Sequence, residues 1–217
     1  ERTTVTTYAL NEADWIIDHP ARVAVHAGQG AYVPHLPKIS ERRFFYDGAT
    51  DPLALPTQGR LTKEEEWLTE ASGERWLPTT LTYDGFGNVA TVTDALGRTT
   101  TNTYDAETKT YLTTITNTTP FQHTRELTYN PRFGQVTSSK DQNGQTTATE
   151  YDALGRVTKV IGPTDTAALP TVRYEYTLGS PISKTTACAR IQSGQPEALC
   201  THAFTDGLGR TIQTRSP

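Results

Sequence analysis

The dipeptide YD, two further residues, Gly, and then Arg or Asn recur along this 217-residue chain. The copies read YDGFGN, with Tyr83, Asp84 and Gly87; YNPRFGQ, with Tyr129, one inserted residue and Gly134; YDALGR, with Tyr151, Asp152 and Gly155; and FTDGLGR, with Asp206, Gly209 and Arg210. Turn-only half-copies lie between them: DALGR with Asp94 and Gly97, and DQNGQ with Asp141 and Gly144. Tyrosines at 83, 104, 129, 151 and 174 stand 21, 25, 22 and 23 residues apart. A period in that range marks a stacked array, in which each unit completes its packing against its neighbours.

The chemistry of one unit follows from its residues. In DALGR the Asp carboxylate can accept hydrogen bonds from backbone N–H groups just downstream, and the Gly can take positive φ without a Cβ clash. This is a type I turn closing on a left-handed glycine. The segments after the turns, NVATVTD, QVTSSKD and RVTKVIG, are short, β-branched and alternating, which predicts strands. Gly87 to Gly97, and Gly134 to Gly144, leave room for one strand and one turn, so two strands make one repeat. The tyrosine ending the incoming strand is expected to lay its ring on the sheet and send its hydroxyl to water or a backbone carbonyl. The chain contains 41 Thr and 35% hydrophobic residues, a composition suited to strands buried on one face. The expected fold is all-β, an antiparallel array with little helix.

Residues 1–40 lack the signature and read as a separate lead-in, with 41–217 as the array. Thr3–Leu10 and Arg22–His26 read as strands, Trp15–Ile17 as an apolar cluster, and 28–37 as a loop. ERRFFYDG reads as a degenerate first repeat whose turn is stretched by DPLALPTQ. Thr62 and Glu65 fit a capping box that would start a helix through Trp67, but GRLTK stands where GRVTK stands at Gly155, and a strand is favoured. Beyond Tyr174 the period loosens through an excursion containing Cys188 and Cys200. A hairpin turned about Gly194 would set these two cysteines opposite each other, close enough to bridge. Two small buried thiols are the alternative.

Little points to chemistry. Net charge is −4 and the isoelectric point near 5.7, with no basic stripe for nucleic acid. No apolar run approaches a membrane-spanning length. DQNGQ places its Gly too early for a calcium loop. The five histidines show no metal-ligand spacing, and HAGQG at His26 is no phosphate loop. Glu64–Glu66 reads as a solvated edge, because neighbouring strand residues face opposite ways. No cofactor, metal or catalytic residue is expected. A chain that starts at Glu1 reads as part of something longer, so an enzyme elsewhere in its parent stays open.

Tyr83–Asp105 and Tyr151–Val160 resemble the YD repeats of the rearrangement-hotspot (Rhs) family. The order of segments from ADWIIDHPARV through FFYDG, GRLTKEEEWL and YNPRFGQVTSSKDQNGQTT to DGLGR is similar, more narrowly, to the large B-type subunits of bacterial insecticidal toxin complexes. The resemblance implies a non-enzymatic segment of a β-sheet that spirals into a hollow shell around a toxic polypeptide. Its partners would be further repeats of the parent, other toxin-complex subunits and the enclosed polypeptide. It further implies a secreted or cell-surface location after cytoplasmic assembly. The family's self-cleaving aspartate motif is missing, so no self-cleavage is expected here. A surface adhesion or carbohydrate-binding module is the alternative, and exposed aromatics such as Trp67, Trp76 and Tyr83 on one face would favour it.

Overall fold

The computed structural model describes residues 1–28, 36–70, 73–118 and 122–217. All regular structure among them is strand. The ranges are β1 Arg2–Asn11, β2 Ile16–Ala27, β3 Lys38–Tyr46, β4 Leu61–Glu70, β5 Gly73–Tyr83, β6 Val89–Thr93, β7 Thr99–Tyr104 and β8 Leu112–Asn117. They continue as β9 His123–Asn130, β10 Gln135–Lys140, β11 Thr146–Tyr151, β12 Val157–Ile161, β13 Val172–Thr177, β14 Ser183–Arg190, β15 Ala198–Thr205 and β16 Thr211–Arg215. The strands form one antiparallel, unclosed sheet whose order is the order of the chain. Compactness divides the chain into two units, Glu1–Thr103 with Thr116–Gln122, and Tyr104–Ile115 with His123–Pro217.

The capping-box helix at Thr62 does not form, because Leu61–Glu70 is a continuous strand. The lead-in is strand as well, with β2 longer than the Arg22–His26 segment expected. Trp15 is not part of an apolar cluster: it stands 79% exposed with φ of +58° in the β1–β2 turn. The loop expected over 28–37 and the glycine run at His26–Gly30 fall largely on residues 29–35, outside the described residues. Glu64–Glu66 is not a solvated edge, since β4 lies between β3 and β5. Glu64 bonds Arg42 at 2.5 Å and Glu65 bonds Lys63 at 2.9 Å.

An up-and-down order sends alternate turns to opposite ends of the strands. The YD turns join β5 to β6, β9 to β10, β11 to β12 and β15 to β16; the half-copies join β6 to β7 and β10 to β11. The two ends differ in a way the motif alone does not display. One residue beyond each YD turn the register slips by a bulge. Tyr83 faces Val89 while Thr82 faces Thr91, Tyr151 faces Val157 while Glu150 faces Lys159, and Thr205 faces Thr211 while Phe204 faces Gln213. Tyr46 and Tyr129 repeat the pattern. After the half-copies at Asp94 and Asp141 the pairing is regular. The strict alternation read from NVATVTD and RVTKVIG is therefore interrupted at Ala90 and Thr158, the unpaired bulge residues.

Few side chains are fully buried. In the first unit Ala9, Ala21 and Tyr46 form a small core against which Phe44 and Leu61 pack. In the second, Leu127 and Cys188 are buried. Along β6, β10 and β12 every residue is half-buried, on both faces. Threonine pairs tie neighbouring strands, with hydroxyls 2.6 Å apart at Thr82 and Thr91 and 2.9 Å apart at Thr93 and Thr99.

Candidate functional site

The geometry that recurs along this chain is the repeat turn. At Asp84, Asp94, Asp141, Asp152 and Asp206 one hydrogen-bond set recurs. The Asp backbone N–H donates to the carbonyl of the fourth residue on, and the glycine N–H donates back to the Asp carbonyl. One carboxylate oxygen accepts the backbone N–H groups two and four residues on, at 2.8–3.0 Å. In the DALGR and DGLGR turns the second oxygen accepts Nε of Arg98, Arg156 or Arg210 at 2.6–2.8 Å. The closing glycines 87, 97, 134, 144, 155 and 209 all have φ between +65° and +90°. At Asp84 the second oxygen accepts the Asn88 side-chain amide at 3.0 Å, and that bond there, with the arginine and backbone bonds at Asp94, Asp152 and Asp206, holds these carboxyls below the usual range.

Two further turns use the same logic with other residues. Asp47 N–H donates to the Arg60 carbonyl at 2.8 Å, and the Asp47 carboxylate accepts the backbone N–H of Thr57, Gln58, Gly59 and Arg60 at 2.7–3.0 Å. The stretched first repeat thus closes on itself around one carboxylate. Burial pushes the Asp47 carboxyl up, but these four donors outweigh it and bring the group down to about 2. At Asp105 the carboxylate gathers the N–H of Thr108, Thr110 and Tyr111, chiefly through Thr108, and its carboxyl is lowered. Lys109 takes the left-handed position there, with φ of +56°. Without a glycine this turn gave no signal in sequence beyond its YD.

The tyrosines act as latches. The hydroxyls of Tyr46, Tyr83, Tyr151 and Tyr176 donate to the carbonyls of Pro20, Leu61, Val136 and Val157 at 2.7–2.9 Å, each on the preceding strand. In the fifth period the latch is Tyr176, two residues beyond the Tyr174 that the spacing singled out. Successive YD turns also touch. The Arg156 guanidinium lies 4.3 Å from the Tyr176 ring and Arg60 lies 5.7 Å from Tyr83. In place of an arginine, Tyr111 stacks on Tyr129 with centroids 5.1 Å apart. A Cβ at Gly155 would meet Phe133 at 3.0 Å, and one at Gly87 would meet Arg60 at 3.3 Å. Gly97 and Gly144, at the opposite end, face open space.

Two clusters lie apart from the turns. Glu41, 1% exposed, accepts Arg22 Nε at 2.6 Å and Nη2 at 3.0 Å, Lys38 at 3.1 Å and Arg43 at 3.2 Å. Burial pushes its carboxyl up, but these cations outweigh burial and hold it at about 2. Trp67 and Trp76 face each other across β4 and β5, yet Lys38 lies over Trp67 at 4.1 Å and Arg43 over Trp76 at 3.7 Å. The two rings are engaged by cations of their own sheet, which weakens the case for a sugar-stacking row.

Cys188 and Cys200 face each other in the register of a hairpin centred on Gly194, from Ser183 opposite Thr205 to Arg190 opposite Ala198. Their sulfurs are joined across β14 and β15. Among the described residues no group of three or more His, Cys, Asp or Glu side chains could hold a metal ion, and no helix is long and apolar enough to cross a membrane. Glu64, Glu66 and Asp94 do line one pocket, but with Arg42 and Arg98 and without a histidine. Glu64 and Asp94 are committed to those two arginines.

A sheet of hairpins closed by Asp–Gly turns and latched by tyrosines defines a β-repeat protein. The RHS Repeat family model matches residues 57–99 and 129–167 of this chain. Among solved structures, the crystal structure of TcdB2-TccC3-Cdc42 is 18% identical with a TM-score of 0.55, over 97% of this chain and 13% of that one. That of TcdB2-TccC3 without its hypervariable C-terminal region is 16% identical with a TM-score of 0.41, over 100% of this chain and 14% of that one. The first likeness shows the fold, and the chain spans about 13% of the length of the protein it matches. No curated protein matches the chain.

Proposed function

We propose that this chain is a wall segment of a hollow β-sheet shell that encloses a toxic polypeptide and carries it towards another cell. In this reading it is a non-enzymatic part of a secreted or cell-surface toxin complex, joined to further repeats of its parent and to other subunits, with residues 1–40 as the lead-in to an array over 41–217. The observation that carries it is the burial pattern. Strands β6, β10 and β12 are half-buried on both faces, as expected of a layer with space on either side rather than of a sheet packed on a core. Threonine-rich faces can be wetted and would not trap a passing polypeptide by apolar contact. The fold likeness to the TcdB2-TccC3-Cdc42 structure supports the same reading.

Labelling of the assembled parent protein tests it. Thr147 and Ala148 are neighbours on β11 and point to opposite faces. With Thr147→Cys and Ala148→Cys made separately, a small maleimide is expected to modify both, and a bulky polymer-linked maleimide only one. Equal modification of both by the bulky reagent would rule out an enclosed face.

A further inference from the structure

We propose that the face shared by β12, β13, β14 and β15 holds a binding pocket for an organic carboxylate with a short apolar tail. Pairing sets Lys159 opposite Arg173, Arg173 opposite Cys188, and Cys188 opposite Cys200. These side chains therefore form one row on one face, with Arg190 two residues along β14 on the same face. The β12–β13 connection folds over the row, and Leu169 and Pro170, with Ala198 of β15, line a cavity of about 430 Å³. That volume suits a small ligand.

Charge and hydrogen bonding select the ligand class. Three cations line the cavity, Lys159, Arg173 and Arg190. The Arg190 side chain is 5% exposed and its Nη2 lies against Asp165, while its buried Nε and Nη1 have no hydrogen-bond partner. Buried donors left unmet are costly, and a carboxylate offers a planar pair of acceptors that suits a guanidinium. A multiply charged anion fits poorly, because Asp165 already sits at Arg190, and Glu150 and Glu175 flank Lys159 and Arg173 at 2.9 Å and 3.4 Å. The alanine, leucine and proline walls favour an aliphatic tail over a bare ion. The ligand would be a free short-chain acid or an acidic side chain beside an aliphatic one in a polypeptide. Neither source depends on whether this face is enclosed.

Amide chemical shifts of the oxidised chain, followed during addition of sodium hexanoate at fixed ionic strength, provide the test. Acetyl-Leu-Glu-Leu-amide serves as the polypeptide probe and hexanamide as the neutral control. Saturable shifts are expected at Ala168, Arg190 and Ala198 with one or both carboxylates and not with hexanamide, and the tighter of the two identifies the source. Arg173→Gln should weaken binding by about tenfold, the loss of one charge-assisted contact. Ala198→Leu, which fills the cavity, should abolish it while the remaining amide spectrum stays that of the folded chain. Absence of saturable shifts with both carboxylates, or equal shifts with hexanamide, overturns the proposal.

Discussion

At the scale of the residue, the repeat glycines are not equivalent. Gly97 and Gly155 share positive φ, +76° and +79°, so a Cβ at either position should cost about 1–2 kcal/mol. At Gly155 the new methyl would also meet Phe133 at 3.0 Å, whereas at Gly97 it meets nothing within 4 Å. Urea unfolding should therefore show Gly155→Ala to be more damaging than Gly97→Ala, with Phe133→Leu narrowing the difference. Equal losses would mean that turn stacking is energetically silent. The tyrosine latch is tested by Tyr83→Phe, which removes the 2.7 Å bond to the Leu61 carbonyl and should lower stability by about 1 kcal/mol.

Acid sensitivity also belongs to single residues. The carboxyls of Glu41 and Asp47 lie at about 2 in the folded chain, against ordinary values of 4.5 and 3.8. A depressed folded value means the folded state binds the proton less readily than the unfolded chain. The stabilisation is therefore complete above about pH 4.5 and is lost as pH falls towards 2. Urea midpoints should fall steeply across that interval. Glu41→Gln, which takes the shared carboxylate from Arg22 and Arg43 and leaves Lys38 only Glu74, should start less stable at neutral pH and lose less on acidification. A parallel pH profile for the two proteins would remove Glu41 from the acid response.

At the scale of the element, the β14–β15 hairpin carries the one covalent tie among the described residues. Closing a loop between residues 12 apart should contribute about 3 kcal/mol by restricting the unfolded chain. Reduction, or Cys188→Ala with Cys200→Ala, should lower the urea midpoint accordingly. Intact mass after non-reducing alkylation of denatured, natively purified protein should show no added alkyl groups, and two groups would mean free thiols. The hairpin register was legible in sequence because Gly194 sits midway between the cysteines. Bulges were not, because Ala90 and Thr158 look like ordinary strand residues. Only the pairing of the tyrosine with the first residue after the turn exposes the extra one.

At the scale of the whole molecule, far-UV circular dichroism should show a β-type spectrum without helical minima, since every regular element among the described residues is strand. A substantial helical signal would contradict the fold. The chain by itself determined the all-β class, the turn chemistry and the alternation of full and half repeats, because Asp and Gly at a short fixed spacing impose a local backbone geometry that needs no distant partner. Tertiary structure alone decided that Tyr176 rather than Tyr174 latches its strand, that Asp105 closes a turn around Lys109, and that Gly87, Gly134 and Gly155 meet a side chain of a neighbouring turn while Gly97 and Gly144 face open space. Those outcomes depend on which side chain meets a carbonyl or a ring on a neighbouring strand. That meeting is set by register and bulges, which accumulate through pairing and leave no mark on any one segment.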